Sequence, residues 1–299
     1  MNKLLDVNNV SISFIQYTKG LKQQNLKVIT DLTLDIEEGE ILAVLGSSGS
    51  GKSLLAHAIL GILPDNADLN GEIKYNGNVL NQKAKEEIRG KEISLIPQSV
   101  NFLDPLMKIA DQVIGECETE EECREKQIKQ RKIFEKYGLS EDVDNMYPFQ
   151  LSGGMARRVL ISTALLSNPK LIIADEPTPG LDQKSVKETL DYLKQMADDN
   201  VGVLLITHDI YAALEVANRI CIFYSGFVIE IVDTKDFKEG KNLLHPYTQA
   251  LLKSVPVLGM ANDKKLETIP GITPNPADLK EGCEFADRCT YCKNECRTG

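Results

Sequence analysis

Several things are missing from this 299-residue chain, and each absence narrows what it can be. No apolar run approaches the roughly 18 residues needed for a membrane-spanning helix, so a membrane role has to come through a partner chain. The opening MNKLLDVNNV has neither a long apolar stretch nor a small-residue cleavage site, and a cytoplasmic protein is expected. Positive charge is not in excess. The net charge of −10 argues against a nucleic-acid partner, although Arg157-Arg158 reads as a local basic patch. No internal repeat or low-complexity tract is visible. Cysteine is sparse over most of the chain. Cys117, Cys123 and Cys221 are scattered and read as ordinary core or surface thiols, whereas Cys283, Cys289, Cys292 and Cys296 crowd the end. In a cytosolic chain such a cluster reads more readily as a metal site than as disulfides.

What remains is a chain with 42% hydrophobic residues, enough for a proper core, and a length suited to one large domain or one domain with an appendage. Residues 4–15 and 28–36 alternate as half-buried strands do, with a turn at 37–40. ILAVLG (41–46) is a continuous apolar run ended by glycine, the pattern of a strand covered on both faces. A helix follows Lys52 and is expected to stop at Pro64. Residues 71–80 form a hairpin around Asn76-Gly77. Short strands recur at 93–98, 171–175, 201–207 and 219–226, and VIEIVD follows. A helix lies at 183–199, and a charged helical block at about 105–167 reads as an insertion. Strand–helix–strand alternation predicts an α/β fold around a mainly parallel sheet. Beyond about residue 240 the pattern changes to a short helix in HPYTQALLKSVP, a loop over 259–282 and the cysteine tail.

Two stretches carry phosphate chemistry. Gly46-Ser47-Ser48-Gly49-Ser50-Gly51-Lys52-Ser53 fits the G-x-x-x-x-G-K-[ST] loop, with an apolar strand before it and a helix after it. Glycines let the backbone wrap closely, so that its N–H groups face phosphate oxygens. The helix adds its positive N-terminal end. Lys52 can bridge the outer phosphates, and the Ser53 hydroxyl can ligate Mg²⁺. LIIADEP then places Asp175 at the carboxyl end of a buried strand, where ligands bind in open α/β sheets. Asp175 suits Mg²⁺, and Glu176 is placed to polarise an attacking water.

LSGGM at 151–155 is similar to the LSGGQ signature of ABC ATPases. Gln98 in LIPQS resembles that family's Q-loop, Thr178-Pro179-Gly180-Leu181-Asp182 its D-loop, and His208 in LLITHD its switch histidine, all in the family's order over about residues 4–235. Taken alone, Gln98 reads as a surface amide and His208 as a structural or solvated side chain. The resemblance implies a P-loop NTPase of the ABC type. Its ATPase domain, 1–240, would have a RecA-like parallel core, an antiparallel β subdomain and a helical subdomain at about 100–167. A small Cys-rich extension, 241–299, would follow. It implies ATP and Mg²⁺ as ligands, with Ser53, Gln98 and Asp175 at the metal and Phe14 stacking on adenine. Core packing is the other reading of Phe14, and Tyr17 lies close behind it. Two such chains would pack head to tail. ATP would be clamped between the Lys52 loop of one and Ser152-Gly153-Gly154 of the other, with Asp182 close by. Two departures stand out: Met155 in place of the signature glutamine, and TPGLD in place of the commoner D-loop, with Asp182 kept.

HPYTQALLKSVP, IPGITPNP and GCEFADRC resemble the C-terminal region of ATPases that power peptide and nickel importers. That implies two transmembrane permease subunits, an extracytoplasmic substrate-binding protein and a second, paralogous ATPase. The chain would then sit peripherally on the cytoplasmic face of the membrane, hydrolysing ATP to drive cargo passage, with NFLDPLMKI after Gln98 contacting the permease. An exporter ATPase or a soluble ABC protein of translation or repair is the alternative. Some relatives hold a [4Fe–4S] cluster on similarly spaced cysteines. Cys283, Cys289 and Cys296 match that spacing, and Cys292 could supply the fourth thiolate. A [4Fe–4S] cluster, zinc and a metal-free tail all stay open.

Overall fold

In a computed structural model of the chain, which describes residues 3–17, 23–47, 49–255, 268–274 and 281–298, the run ILAVL forms strand β3 (Ile41–Leu45) with every residue buried. β7 (Leu171–Asp175) and β8 (Gly202–Thr207) are equally apolar and buried throughout. Continuous burial requires cover on both faces, and only a central position in a layered α/β fold provides it. β6 (Ile93–Ile96), β9 (Arg219–Tyr224) and β10 (Phe227–Asp233) complete a six-stranded sheet in the order β10-β9-β3-β8-β7-β6. Its pairs are parallel except for the β9–β10 hairpin.

A second, four-stranded sheet is wholly antiparallel, in the order β2-β1-β4-β5. It comprises β1 (Lys3–Tyr17), β2 (Gln23–Glu37), β4 (Ala67–Tyr75) and β5 (Asn78–Val79). Asn76 and Gly77 both have positive φ, 48° and 77°, as a tight two-residue hairpin demands. The strand expected at 28–36 begins earlier, at Gln23, because the register with β1 continues outward to Gln23 opposite Tyr17.

Three apolar cores follow from this layout. The first lies between the two sheets and includes α1 (Lys52–Leu60) through Leu55, Ala56 and Ile59. The second covers the other face of the six-stranded sheet with α6 (Gln183–Asp198) and α7 (Ile210–Val216). The third holds together the helical segment between β6 and β7: α3 (Ile109–Ile114), α4 (Glu120–Lys136) and the start of α5 (Gly153–Leu165). The far end of α5 crosses over, with Ile161 and Ala164 packing in the second core.

Three elements differ from expectation. α1 ends at Leu60, because Gly61 takes a left-handed conformation (φ 67°) that closes the helix before Pro64 is reached. α2 (Gln82–Ile88) and α8 (Thr234–Glu239) are too short to show a periodic apolar stripe. Helix α9 (Pro246–Lys253) falls within HPYTQALLKSVP. Of the loop expected at 259–282, residues 259–267 and 275–280 lie outside the described residues. Among the described residues no helix is long and apolar enough to cross a membrane.

Candidate nucleotide site

The parallel strands of the sheet end together, and their carboxyl ends deliver the candidate residues. Leu45 pairs with Thr207, and Asp175 with Ile206, so β3, β7 and β8 release their loops at one level. Gly46 follows β3, where a Cβ would lie 2.5 Å from the Phe223 carbonyl oxygen, and only glycine fits. Gly51, at φ 100°, is the N-cap of α1 and provides no side-chain cap. The first N–H groups of the helix are therefore left for an outside acceptor, the arrangement that binds phosphate. Gly49 is also left-handed (φ 76°), and the Ser50 hydroxyl donates to the Ser47 carbonyl at 2.8 Å. Ser48 lies outside the described residues.

Lys52 is buried at the centre of this loop. Its Nζ donates to the carbonyl oxygens of Gly46 and Ser47, each at 2.9 Å, and lies 3.9 Å from Glu176 Oε1. Burial lowers its pKa, and the charges of Glu176 and Asp175 oppose that shift. Asp175 is pushed the other way. Burial raises its pKa, while Ser53, as a hydrogen-bond partner, and Lys52 favour the charged form. Its Oδ1 is buried and has no hydrogen-bond partner among the described residues. An orphaned carboxylate oxygen beside a serine hydroxyl is an oxygen donor pair suited to Mg²⁺, so Asp175 and Ser53 fit that ion.

Glu176 sits next to this pair in a left-handed conformation (φ 45°) that costs a non-glycine residue energy. The strand neighbour holds it there: its N–H donates to the Ile206 carbonyl at 2.8 Å. Both carboxylate oxygens lie 2.9 Å from His208 Nδ1. Lys52, Ser53, Asp175, Glu176 and His208 thus meet in one place.

The remaining candidates stand apart. Gln98 is exposed just beyond β6. Ser152 caps α5 by accepting from the Met155 N–H at 3.2 Å, which leaves Gly153 exposed at the helix start. Asp182 caps α6, accepting from the N–H groups of Lys184 and Ser185 and from the Ser185 hydroxyl at 2.7 Å. These bonds, led by the Ser185 hydroxyl, lower its pKa. A Cβ on Gly154 would come 2.8 Å from Ser185 Oγ, so the two helix starts touch. Among the described residues no hydrogen bond or ion pair links Ser152, Gly153 or Gly154 to the Lys52 loop. Phe14 pairs with Leu26 on β2 and packs, half-buried, against the core between the sheets. Two residues past Leu26, the Val28 side chain meets Gly51, which places Phe14 in the strand layer beside the loop.

A family model described as ABC transporter matches residues 29–179, and one described as oligopeptide/dipeptide transporter, C-terminal region, matches residues 229–296. The chain is 36% identical over 310 residues to the oligopeptide transport ATP-binding protein AppD of Bacillus subtilis, covering 100% of this chain and 92% of that protein. This chain belongs to the ABC transporter family. A second relative is the dipeptide transport ATP-binding protein DppD of Haemophilus influenzae, 34% identical over 305 residues, covering 98% of this chain and 90% of that protein. Among solved structures, a dimeric ATP-binding cassette in a post-hydrolysis state bound to ADP and Pi superposes with a TM-score of 0.64. That match is 28% identical and covers 77% of this chain and 98% of the cassette. The chain is an ABC ATPase, with the α/β fold of those cassettes.

Two readings of this ABC ATPase's sequence need correction. Arg157 and Arg158 form no surface patch. Arg157 is 2% exposed, and its guanidinium donates to the carbonyls of Pro97 and Gln98. Cys117 and Cys123 are joined in a disulfide; the intervening turn at the start of α4 brings their Cα atoms to 5.4 Å. The four late cysteines lie in one knot of local turns: the Cys283 N–H donates to the Cys296 carbonyl at 2.8 Å and the Cys292 N–H to the Cys289 carbonyl at 3.3 Å. Cys283 lies 3.9 Å from His245 Nε2, Cys289 Sγ accepts from the Tyr291 N–H, and the Cys292 thiol faces the Lys293 carbonyl. Among the described residues no group of three or more His, Cys, Asp or Glu is placed to hold a metal. The tail is anchored by Phe285, which is buried among Tyr224, Tyr247 and His245.

Proposed function

We propose that this chain is the ATP-hydrolysing subunit of a binding-protein-dependent ABC importer for peptides. The observation that carries the proposal is the pairing of the two halves. An ATPase site with Lys52, Asp175, Glu176 and His208 in one cluster is joined to a C-terminal region matching the oligopeptide/dipeptide transporter type. The names of the two relatives refer to oligopeptides and dipeptides, which favours peptide over nickel as cargo.

The chemistry is ATP + H₂O → ADP + phosphate. Lys52 would exchange the Gly46 and Ser47 carbonyls for the outer phosphate oxygens, while Gly49 and Gly51 open the backbone to the chain of phosphates. Mg²⁺, held by Ser53 and Asp175 with Gln98 reaching in, would neutralise charge on the phosphates. Glu176 would accept hydrogen bonding from the attacking water, and His208 would hold that carboxylate in place. Phe14 would offer a ring to adenine. Ser152, Gly153 and Gly154 would serve a second ATPase subunit, a paralogue or a second copy, because among the described residues no hydrogen bond or ion pair joins this helix start to the chain's own Lys52 loop. Asp182 would lie at that interface. The chain would work as a peripheral subunit on the cytoplasmic face of the membrane, with two permease subunits and an extracytoplasmic binding protein. Phe149, 75% exposed, lines a hollow of about 320 Å³ together with Leu103 and Pro105; with the exposed Phe102 and Leu106 (69% and 87%) next to these in sequence, this is the surface that would grip the permease. The cysteine tail receives no metal in this reading.

Reconstitution with the permeases and binding protein in vesicles tests the proposal. Peptide should stimulate ATP hydrolysis and labelled peptide should accumulate. ATPase activity indifferent to peptide, or stimulated by nickel alone, overturns it.

A further inference from the structure

Helix α5 begins with Ser152–Gly154 and carries two arginines in succession. Adjacent helical side chains diverge by about 100°, so the pair cannot share a target. Arg158 reaches into the helical segment, where its Nη1 donates to the carbonyls of Tyr137 and Gly138 at 3.2 and 3.3 Å. Arg157 turns towards the sheet. Its Nη1 donates to the Pro97 carbonyl at 2.6 Å and its Nη2 to the Gln98 carbonyl at 2.8 Å. One helix is therefore bolted on one side to the end of α4 and on the other to the turn that presents Gln98.

Arg157 is an expensive way to make that contact. It is 2% exposed, and no carboxylate pairs with it among the described residues; its Nε is buried without a partner. Burial alone lowers its pKa. An apolar residue would serve packing better, since an unpaired buried guanidinium carries a desolvation penalty. What the arginine supplies is geometry: a planar fork that fixes two consecutive carbonyls at once, which a lysine's point charge cannot reproduce. The backbone of Gln98 is held by two hydrogen bonds to its own and the preceding carbonyl, while its side chain remains exposed.

We propose that Arg157 is a positioning residue that couples the Gln98 turn of one ATP site to the Ser152–Gly154 turn offered to the other. The coupling rests on the proposed function, in which Gln98 serves its own chain's nucleotide and Ser152–Gly154 the partner's. A shift of the Gln98 turn on engaging Mg²⁺ and phosphate pulls the fork. The fork then rotates α5, whose first turn is the partner's anion cradle.

The test uses Arg157→Met, Arg157→Gln and Arg157→Lys in the full chain, each checked for wild-type thermal melting. Binding of a fluorescent ATP analogue to the free chain should change less than about twofold, because the Lys52 loop is untouched. In the assembled transporter kcat should fall about tenfold or more for Met and Gln, with Lys recovering part of it. Combining Arg157→Met with Gln98→Ala should cost no more than the worse single change, as for residues acting as one unit. Wild-type kcat in a folded Arg157→Met or Arg157→Gln protein overturns the inference. So does a kcat loss matched by an equal loss of nucleotide affinity, or full additivity with Gln98→Ala. If Arg157→Met fails to melt cooperatively, Arg157→Gln and Arg157→Lys decide. A wild-type assembly without ATPase activity overturns the proposed function itself, whereas an active one with indifferent Arg157 variants overturns this inference alone.

Discussion

Glu176 holds both carboxylate oxygens 2.9 Å from Nδ1 of His208, across the carboxyl ends of two neighbouring parallel strands. The contact joins a buried partner to an exposed one. Glu176 is buried on a strained backbone, while the His208 side chain is 53% exposed. If His208 keeps the carboxylate aimed, His208→Ala should leave nucleotide affinity within about twofold and lower kcat by about 10²-fold. Steady-state kinetics beside an ATP-analogue titration check this.

Asp175 trades stability for function. Its pKa is raised by burial, so folding favours the protonated form. The ionised form carries a penalty that grows as pH rises from the unfolded-state pKa through the folded one, and that is fully present at neutral pH. Asp175→Asn should therefore raise the melting temperature of the nucleotide-free protein at pH 7 by about 2 °C, roughly 1 kcal/mol, and by less near pH 4. The same variant should lose the extra stabilisation that Mg²⁺ adds to ATP. Differential scanning calorimetry with and without MgATP reads both effects.

The tail depends on one ring. Phe285 is 3% exposed, and its edge meets Tyr224 at a centroid distance of 5.6 Å. Phe285→Ala should cost about 3–4 kcal/mol of tail docking and expose residues 281–298 to protease, while ATP affinity changes little. Limited proteolysis followed by mass measurement is the readout.

Thiol labelling discriminates the seven cysteines. Cys221 is fully buried, and burial pushes its thiol up to about 12, so it should resist iodoacetamide at pH 8 until the protein unfolds. The four tail thiols should label in the native state. Cys117 and Cys123 should label only after reduction.

Much of this site is readable in the sequence because its parts sit at strand ends. Short apolar runs such as LIIAD and GVLLIT have one interpretation in an α/β chain, and the residue after each run is placed by the sheet itself. Glu176 needed no more than that, whereas His208, which alone reads as a structural or solvated side chain, also needed the order of the neighbouring motifs. Arg157 was hidden, because an Arg-Arg pair carries no mark of which side chain points inward. Only the crossing of α5 between helical segment and sheet decides it. The Cys117–Cys123 bridge depends on a turn at the start of α4 that six residues of spacing do not specify. The cysteine tail stays open for a related reason: spacing describes how far apart thiols are along the chain, not which way local turns aim them.

The most direct measurement is ATP turnover by Glu176→Gln in the reconstituted transporter, beside wild type and with nucleotide binding measured on the same samples. ATP should bind as in wild type, and peptide-stimulated hydrolysis should drop by about 10²-fold or more as the closed dimer is trapped. Undiminished hydrolysis in that variant would contradict the role of Glu176, and with it the site described here.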